Sequence, residues 1–215
     1  MIVDERFTTY LNSLYPELDD ELQAIEREAR DTYVPIIRRE TQNLLQLLIA
    51  MHRPQRILEV GAAVGFSGSL MLLAAGPEAT LVTIENYEPR IPIARANFER
   101  MGLSDRMTLH EGDAQDILPT LEGPFDVIFM DAAKGQYINF WPEVKRLIAP
   151  GGLVVTDNVL QDGDIIESRY AICRRNRTIH KRMRDYLYEL THDEGFTTSI
   201  LPLGDGVSIS VKGQK

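Results

Sequence analysis

The fold of this chain is decided by residues 56–67, which read RILEVGAAVGFS. A short apolar run, Ile57–Val60, has the length of a buried strand, and a helical pattern follows the turn after it. Gly61 and Gly65 let the backbone of this turn come close to a ligand, and the start of the helix offers free N–H groups. The third glycine of the dinucleotide pattern G-x-G-x-x-G is missing, which argues against a pyrophosphate site. A turn facing a ligand that carries an amino acid fits this spacing, and a purely structural turn is the alternative.

Beyond this stretch, short apolar runs alternate with segments that are long enough to hold a helix. The runs lie at Ile57–Val60, Leu81–Ile84, Met107–Leu109, Val127–Met130 and Leu153–Thr156. Such alternation is typical of a parallel sheet with helices on both faces. Thr197–Leu201 and Val207–Val211 flank a glycine-rich turn, so they are predicted to pair as an antiparallel hairpin. We therefore predict an α/β, Rossmann-like fold with a seven-stranded, mostly parallel sheet that ends in this hairpin.

The N-terminal part of the chain shows the three- and four-residue spacing of amphipathic helices. Its apolar positions are Phe7, Leu11, Leu14, Leu18, Leu22, Ile25, Ala29, Leu44, Leu47, Leu48 and Met51. We predict a single domain, 1–215, in which a helical cap at 1–55 precedes a Rossmann-like core at 56–215. A cap of this kind suits a lid over a substrate or a contact between two copies, and we expect a homodimer.

The composition of the 215 residues, 44% hydrophobic and 26% charged, is that of a globular protein with a full core. Residues 1–15 have neither the basic start nor the apolar run of a secretion signal, and the apolar stretches are too short to cross a bilayer. The single cysteine, Cys173, excludes an internal disulfide and a cysteine-rich metal site. We expect a cytoplasmic protein that does not enter a membrane.

Acidic residues follow the second and third predicted strands. Glu85 stands at the tip of the second strand, where an acid can accept both ribose hydroxyls of a nucleoside. Asp113 and Ala114 follow the third strand and can frame the edge of an adenine. A helix-capping role is the alternative for Glu85. Three ligand-facing elements at successive strand ends predict a nucleoside-type ligand at the point where the strand order reverses.

Two further strands end in oxygen-bearing side chains. Asp131 follows the fourth strand, and Asp157 and Asn158 follow the fifth. We expect these carboxylates and the amide to lie in one crevice, where they suit Mg²⁺, with Mn²⁺ or Ca²⁺ tolerated, and do not suit zinc. Lys134 lies just beyond Asp131, and a nearby metal would disfavour its ammonium form, so it could serve as a general base. An ordinary surface lysine is the alternative.

Together, these motifs resemble the cation-dependent catechol and caffeoyl-CoA O-methyltransferase family. The resemblance covers nearly the whole chain and implies a class I methyltransferase fold that uses S-adenosylmethionine (SAM). It implies that Asp131, Asp157 and Asn158 bind Mg²⁺, which holds two neighbouring substrate oxygens, and that Lys134 is the base. The cofactor-contacting positions implied or predicted are Ile37, Glu59, Gly61, Ser67, Glu85, Asp113, Ala114 and Asp131.

A basic segment lies in the C-terminal part of an otherwise acidic chain. The net charge of −9 argues against a protein that coats nucleic acid non-specifically, yet residues 169–184 hold seven Lys/Arg residues and no acid. Its spacing predicts an outward basic face, Arg174, Arg177, Lys181 and Arg184, on a helix that packs through Ile179, Met183, Tyr186 and Leu190. A phosphate backbone fits such a face, and a solvated helix surface is the alternative.

This segment extends the resemblance to the bacterial tRNA 5-hydroxyuridine methyltransferases. The run DAAKGQY at 131–137, VPI at 34–36, DNVL at 157–160 and the arginine cluster carry it, whereas 38–40 and 161–164 depart from it. The resemblance implies methylation of the wobble uridine in the tRNA anticodon to 5-methoxyuridine. The alternative is a small catechol or caffeoyl-CoA-like substrate, which offers the same pair of vicinal oxygens.

Overall fold

The computed structural model describes residues 3–214, so the outer limits of the predicted domain, at Met1 and Lys215, lie outside the described residues. Within this range the chain forms one seven-stranded sheet. Its strands are β1 (Arg56–Val60), β2 (Thr80–Glu85), β3 (Met107–Glu111), β4 (Phe125–Met130), β5 (Ile148–Thr156), β6 (Phe196–Leu201) and β7 (Val207–Lys212). The order β3-β2-β1-β4-β5-β7-β6, with β1 to β5 parallel and β7 antiparallel to both neighbours, confirms the predicted Rossmann-like sheet.

Helices cover both faces of this sheet. They are α1 (Glu5–Ser13), α2 (Asp20–Asp31), α3 (Arg39–His52), α4 (Phe66–Ala75), α5 (Ile91–Arg100), α6 (Ala114–Ile117), α7 (Tyr137–Leu147) and α8 (Arg177–His192). One buried cluster joins α2 to α5 with one face of the sheet, and a second joins α6, α7 and α8 with the other face. Since both faces are covered, the central strands β1 and β4 are buried almost continuously rather than at alternate positions, with Glu59 as a charged exception in β1.

The fifth strand differs from its prediction, because it begins at Ile148 rather than Leu153. Ile148 pairs with Phe125 at the start of β4, and the register shifts between Phe125 and Val127. Gly151, at φ 77°, adopts a backbone conformation that suits glycine, so the strand passes through a Pro-Gly-Gly sequence that reads as a turn.

The N-terminal cap is helical as predicted, but its helices pack unequally. Helix α2 buries Leu22, Ile25 and Ala29, whereas α1 buries none of its own residues. Helix α3 is buried through Thr41, Gln42, Leu45 and Ile49, so the predicted inner positions Leu47 and Met51 are wrong and lie exposed. The buried face of α3 includes the polar residues Thr41 and Gln42, which a pattern of apolar positions does not select. The lid or dimer role of the cap stays a prediction.

The parallel register brings several strand ends to one edge of the sheet. Val60 pairs with Ile84 on one side and Met130 on the other, and Met130 pairs with Thr156. The residues that follow these strands therefore meet where the chain order reverses between β1 and β4, which is where such sheets bind ligands. In residues 3–214 no helix has the length and apolar character needed to span a membrane.

Candidate active site

The turn after β1 is shaped by close packing against β4. Gly61 has φ 104°, and a Cβ at this position would overlap the backbone carbonyl oxygen of Asp131. Gly65 has φ 80° and lies against the ring of Phe98. Both positions need glycine for conformation and for space. The turn can therefore lie directly beside the end of β4. This brings the predicted cofactor site at Gly61 next to the predicted metal site at Asp131.

Glu59, next to this turn in β1, is 0% exposed and stabilises the turn through hydrogen bonds. Its two carboxylate oxygens accept hydrogen bonds from Ser67 Oγ and Thr83 Oγ1, each at 2.6 Å. Burial raises the pKa of Glu59 to about 7, although the two hydroxyls act in the opposite direction. Glu59 and Ser67 lie outside the cavity wall of the described chain, and the predicted cofactor contacts of both residues stay predictions.

A cavity of about 760 Å³ opens along the carboxyl edge of the sheet. Among the predicted site residues its wall contains Ile37, Gly61, Glu85, Asp113, Ala114, Asp131, Lys134, Asp157 and Asn158. A volume of this size suits a ligand of nucleoside dimensions together with a small second molecule. The structure thus brings the predicted cofactor and metal residues to one cavity, while their individual roles stay predictions.

Glu85 stands at the end of β2 with its carboxylate held by backbone N–H groups. Oε2 accepts from Ala63 at 2.7 Å, and Oε1 accepts from Asn86 at 3.0 Å and Tyr87 at 2.8 Å. These bonds fix the side chain against the glycine turn rather than at the start of α5, so the helix-capping alternative is not what the structure shows. Glu85 remains on the cavity wall with its orientation set in advance.

Asp131, Asp157 and Asn158 form a hydrogen-bonded cluster on the cavity wall. Asn158 Nδ2 donates to Asp131 Oδ1 at 2.7 Å, and the Asn158 backbone N–H donates to Asp157 Oδ1 at 2.8 Å. Asn158 adopts φ 63°, a left-handed conformation that asparagine tolerates better than most residues. The chain therefore turns sharply after β5, and the side-chain amide of Asn158 comes to lie against the Asp131 carboxylate.

Asp157 is buried and Asp131 is partly buried, and the two carboxylates lack full charge compensation. Burial raises the pKa of Asp131 to about 6, and burial together with the charge of Asp131 raises the pKa of Asp157 to about 7. Buried acids of this kind are stabilised by a bound cation, and carboxylate and amide oxygens suit a hard divalent ion. The cluster therefore fits the metal that the sequence implied.

Lys134 lies in a short 3-10 turn at Lys134–Gln136 and points to a residue that the sequence did not predict. Its Nζ donates to Asp205 Oδ2 at 2.6 Å, and the Asp205 side chain is 4% exposed. In the sequence, Asp205 belongs to the glycine-rich turn between β6 and β7, where an acid usually serves only the turn. The pairing spans 71 residues of sequence, so local pattern gives no signal for it.

The cavity mouth contains a further ion pair outside the predicted site. Arg38 Nη2 donates to Asp162 Oδ1 at 2.9 Å, and both residues belong to the cavity wall. They come from the segments 38–40 and 161–164, which departed from the family pattern in the sequence. The structure thus shows that these two segments meet at the entrance.

The basic segment is only partly arranged as predicted. Arg174 precedes α8 in a 3-10 turn, so the prediction of a single helical stripe is wrong there. Arg177 donates to the carbonyl oxygens of Ile172 and Tyr170, and Lys181 pairs with Asp185 at 2.5 Å. The inward face is confirmed by the buried residues Met183, Tyr186 and Leu190, whereas Ile179 is 38% exposed. Arg174 and Arg184 are exposed, and none of the four basic residues belongs to the cavity wall of the described chain.

Comparison with known protein families identifies the family of this chain. The family model described as O-methyltransferase matches residues 14–213. The chain belongs to this O-methyltransferase family. Its reaction class is therefore O-methyl transfer, which agrees with the sheet, the glycine turn and the cavity at the strand ends.

Individual relatives of this O-methyltransferase extend over most of its length. A catechol O-methyltransferase of Niastella koreensis is 35% identical over 165 residues, 74% of this chain and 74% of the relative. Caffeoyl-CoA O-methyltransferase 1 of Eucalyptus globulus is 29% identical over 77% of this chain and 70% of its own. Among solved structures, the O-methyltransferase TomG of Streptomyces achromogenes, determined in complex with SAM, has a TM-score of 0.84 at 26% identity and covers 95% of both chains.

Proposed function

We propose that this O-methyltransferase transfers the methyl group of SAM to one of two vicinal oxygens on a small catechol-type substrate, with the help of a divalent cation. The observation that carries the proposal is the partly buried cluster of Asp131, Asp157 and Asn158, which lines the same cavity as Glu85 and Gly61. The names of the catechol and caffeoyl-CoA relatives support a substrate of this class.

The metal would be held by the carboxylates of Asp131 and Asp157 and the amide oxygen of Asn158. A bound divalent cation supplies Lewis acidity, which lowers the pKa of a substrate hydroxyl and favours two neighbouring oxygens as ligands. Asp131 and Asp157 set the position of that charge, because both follow adjacent strands whose registers are fixed. Lys134 lies on the wall of the same cavity, where its Nζ in the neutral amine form, which can still donate an N–H to Asp205, would take up the hydroxyl proton. The O–CH₃ bond forms as the C–S bond breaks, and the electron pair of the C–S bond stays on the sulfur of the departing thioether.

The proposed cofactor side of the cavity is formed by Gly61, Glu85, Asp113 and Ala114, and Ile37 also lies on the cavity wall. Glu85 would accept hydrogen bonds from ribose hydroxyls, and Ala114 would leave room for the adenine. The SAM complex of TomG supports the same cofactor in this chain. The protein contributes position and charge, and the cofactor contributes the methyl group.

Replacing Glu85 with glutamine is expected to weaken SAM binding by about 10-fold or more, because a charge-assisted acceptor for two hydroxyls becomes a weaker neutral one. Isothermal titration of SAM into wild type and Glu85→Gln measures the effect. A matched control is Glu111→Gln, since Glu111 ends the neighbouring strand β3, pairs with Glu85 in register and lies exposed outside the cavity wall. Equal SAM affinity in wild type and Glu85→Gln would contradict the assignment.

The proposed function is tested by supplying purified protein with SAM, Mg²⁺ and either catechol or caffeoyl-CoA. We expect a mono-methylated product by mass spectrometry, which disappears when EDTA is added and returns with excess Mg²⁺. A monophenol of the same size is the matched control, because it lacks the second oxygen. Equal turnover of the monophenol, or full activity in EDTA, would contradict the two-oxygen site.

The tRNA substrate stays a second candidate, and the observation in its favour is the exposed pair Arg174 and Arg184. Arg177 and Lys181 favour it less, since their side chains already bond to neighbouring groups. The same assay decides between the substrates when tRNA containing 5-hydroxyuridine is added as a separate arm. Formation of 5-methoxyuridine without methylation of either catechol-type compound would replace the small-molecule proposal with the tRNA one.

A further inference from the structure

We propose that Asp205 is a positioning residue, which holds Lys134 and the loop 161–166 in place beside the cluster of Asp131, Asp157 and Asn158. The inference rests on the proposed function, in which Lys134 takes part in methyl transfer. Asp205 Oδ2 accepts from Lys134 Nζ at 2.6 Å, and Asp205 Oδ1 accepts from the backbone N–H of Asp162. One carboxylate therefore binds two segments of the cavity wall at once.

The position of Asp205 is itself fixed by the backbone around it. Its carbonyl oxygen accepts from the Leu160 N–H at 2.9 Å, and the Gly206 carbonyl accepts from the Val159 N–H at 3.0 Å. Gly206 has φ 87°, and a Cβ there would overlap the side chain of Leu160. The turn of the β6–β7 hairpin is thus hydrogen-bonded to Val159 and Leu160. These bonds hold the Asp205 carboxylate at the cavity wall.

The loop 161–166 needs such an external partner. Gln161, Asp162 and Gly163 have successive φ values of 52°, 52° and 99°, and two of the three are not glycine. Left-handed backbone at ordinary residues persists only where surrounding contacts hold it. Asp205 supplies one contact at the Asp162 N–H, and Arg38 supplies another at the Asp162 carboxylate.

The consequence for Lys134 follows from its surroundings. Its side chain is 36% exposed, so packing alone does not restrict it to one rotamer. The hydrogen bond to Asp205 does restrict the Lys134 side chain, because the Asp205 carboxylate is 4% exposed and cannot turn out into the solvent. Without that carboxylate the Lys134 amine is free to sample water, and the distance from its Nζ to the substrate oxygen is no longer set.

The test is Asp205→Asn in the full chain, with kcat and KM measured for SAM and for catechol. We expect kcat to fall by about 100-fold and KM for SAM to stay within about twofold, because the loss is one of placement in the acceptor half of the cavity. Asp193→Asn is the matched control. Asp193 also accepts from a lysine, Lys145 at 3.1 Å, and from a backbone N–H, Gly195 at 3.0 Å, but lies outside the cavity wall of the described residues.

A double-mutant cycle separates positioning from general damage to the fold. If Asp205 acts through Lys134, Asp205→Asn will change kcat by less than about twofold in a Lys134→Ala background. Hydrogen exchange gives a readout besides activity, since the Asp162 amide should exchange faster in Asp205→Asn and at the wild-type rate in Asp193→Asn. Should Asp205→Asn fail to fold, Asp205→Glu moves the carboxylate by one methylene and should show a smaller loss with the same non-additivity.

Two failures remain distinguishable. If Lys134→Ala keeps the wild-type kcat, the lysine assignment in the proposed function is wrong. If Lys134→Ala lowers kcat while Asp205→Asn does not, or if Asp205→Asn costs the same in both backgrounds, Asp205 does not position the lysine and the inference is overturned.

Discussion

Asp157→Asn is expected to lower methyl transfer by at least about 10³-fold, because the substitution removes a carboxylate from the proposed cation site and leaves the cavity otherwise unchanged. Asparagine has nearly the same volume, and its side-chain oxygen can still accept from the Asn158 N–H. SAM binding is expected to stay within about twofold, since Glu85 and the glycine turn are untouched. Turnover of catechol and titration of SAM measure the two quantities separately.

The same variant is expected to be more stable than wild type when no metal is present. Burial and Asp131 raise the pKa of Asp157 from 3.8 to about 7, so the folded state holds its proton more tightly than the unfolded state. The stabilisation from that proton is fully present below pH about 4 and is lost as the pH rises to about 7. Wild type should therefore lose stability relative to Asp157→Asn across this window.

Thermal unfolding between pH 4 and 8, with EDTA or with Mg²⁺, checks the prediction. Mg²⁺ should raise the Tm of wild type at pH 8 and leave that of Asp157→Asn unchanged, because only wild type offers the complete set of ligands. Asp126→Asn is the control, since Asp126 accepts from the Gln55 and Arg56 N–H groups at the opposite end of β4. A variant that kept its Mg²⁺ response would show that Asp157 is not a ligand.

Lys134→Ala is expected to lower kcat by about 10²- to 10⁴-fold, the range typical of a lost general acid or base. A fixed positive charge paired with Asp205 is the competing role for Lys134, so a second variant is needed to separate it from the role of base. Lys134→Arg retains the charge and can still bond to Asp205, but arginine does not release its proton. We expect it to be nearly as slow as Lys134→Ala.

Single-turnover rates with saturating SAM and catechol measure these effects without product release. Lys145→Ala, at the lysine that pairs with Asp193, is the matched control and should keep the wild-type rate. A Lys134→Arg variant with wild-type activity would assign the residue as a fixed charge, and a fully active Lys134→Ala variant would remove it from the reaction.

The local pattern was sufficient for the sheet and for the residues at the strand ends. Apolar runs set the strands, and in a parallel sheet the residue after each strand lies at the same edge. Glu85, Asp131 and Asp157 were therefore predicted to lie on one ligand-facing edge without knowledge of any contact between them, and the structure places all three on the cavity wall.

The local sequence pattern did not predict the hydrogen bonds that side chains make with other segments. Glu59 stands beside the glycine turn in sequence, yet its carboxylate bonds to Ser67 and to Thr83 of the neighbouring strand, away from the cavity. In the basic segment, the spacing indicated an outward stripe but could not show that Arg177 bonds to nearby carbonyl oxygens. Charge and periodicity describe which face a residue occupies, and they leave its hydrogen-bond partner open.

The sequence by itself determined the α/β architecture and the acidic edge, because strand periodicity and strand-end position are properties of neighbouring residues. The tertiary structure alone decided that Asp205 faces Lys134 and that Arg38 faces Asp162. These pairs join segments that are far apart in the chain, and their geometry depends on how the hairpin, the cap and the loop pack together. The physical reason is that a turn residue does not belong to a repeating helix or strand pattern. Its hydrogen-bond partner is therefore set only when the distant segments pack together in the folded chain.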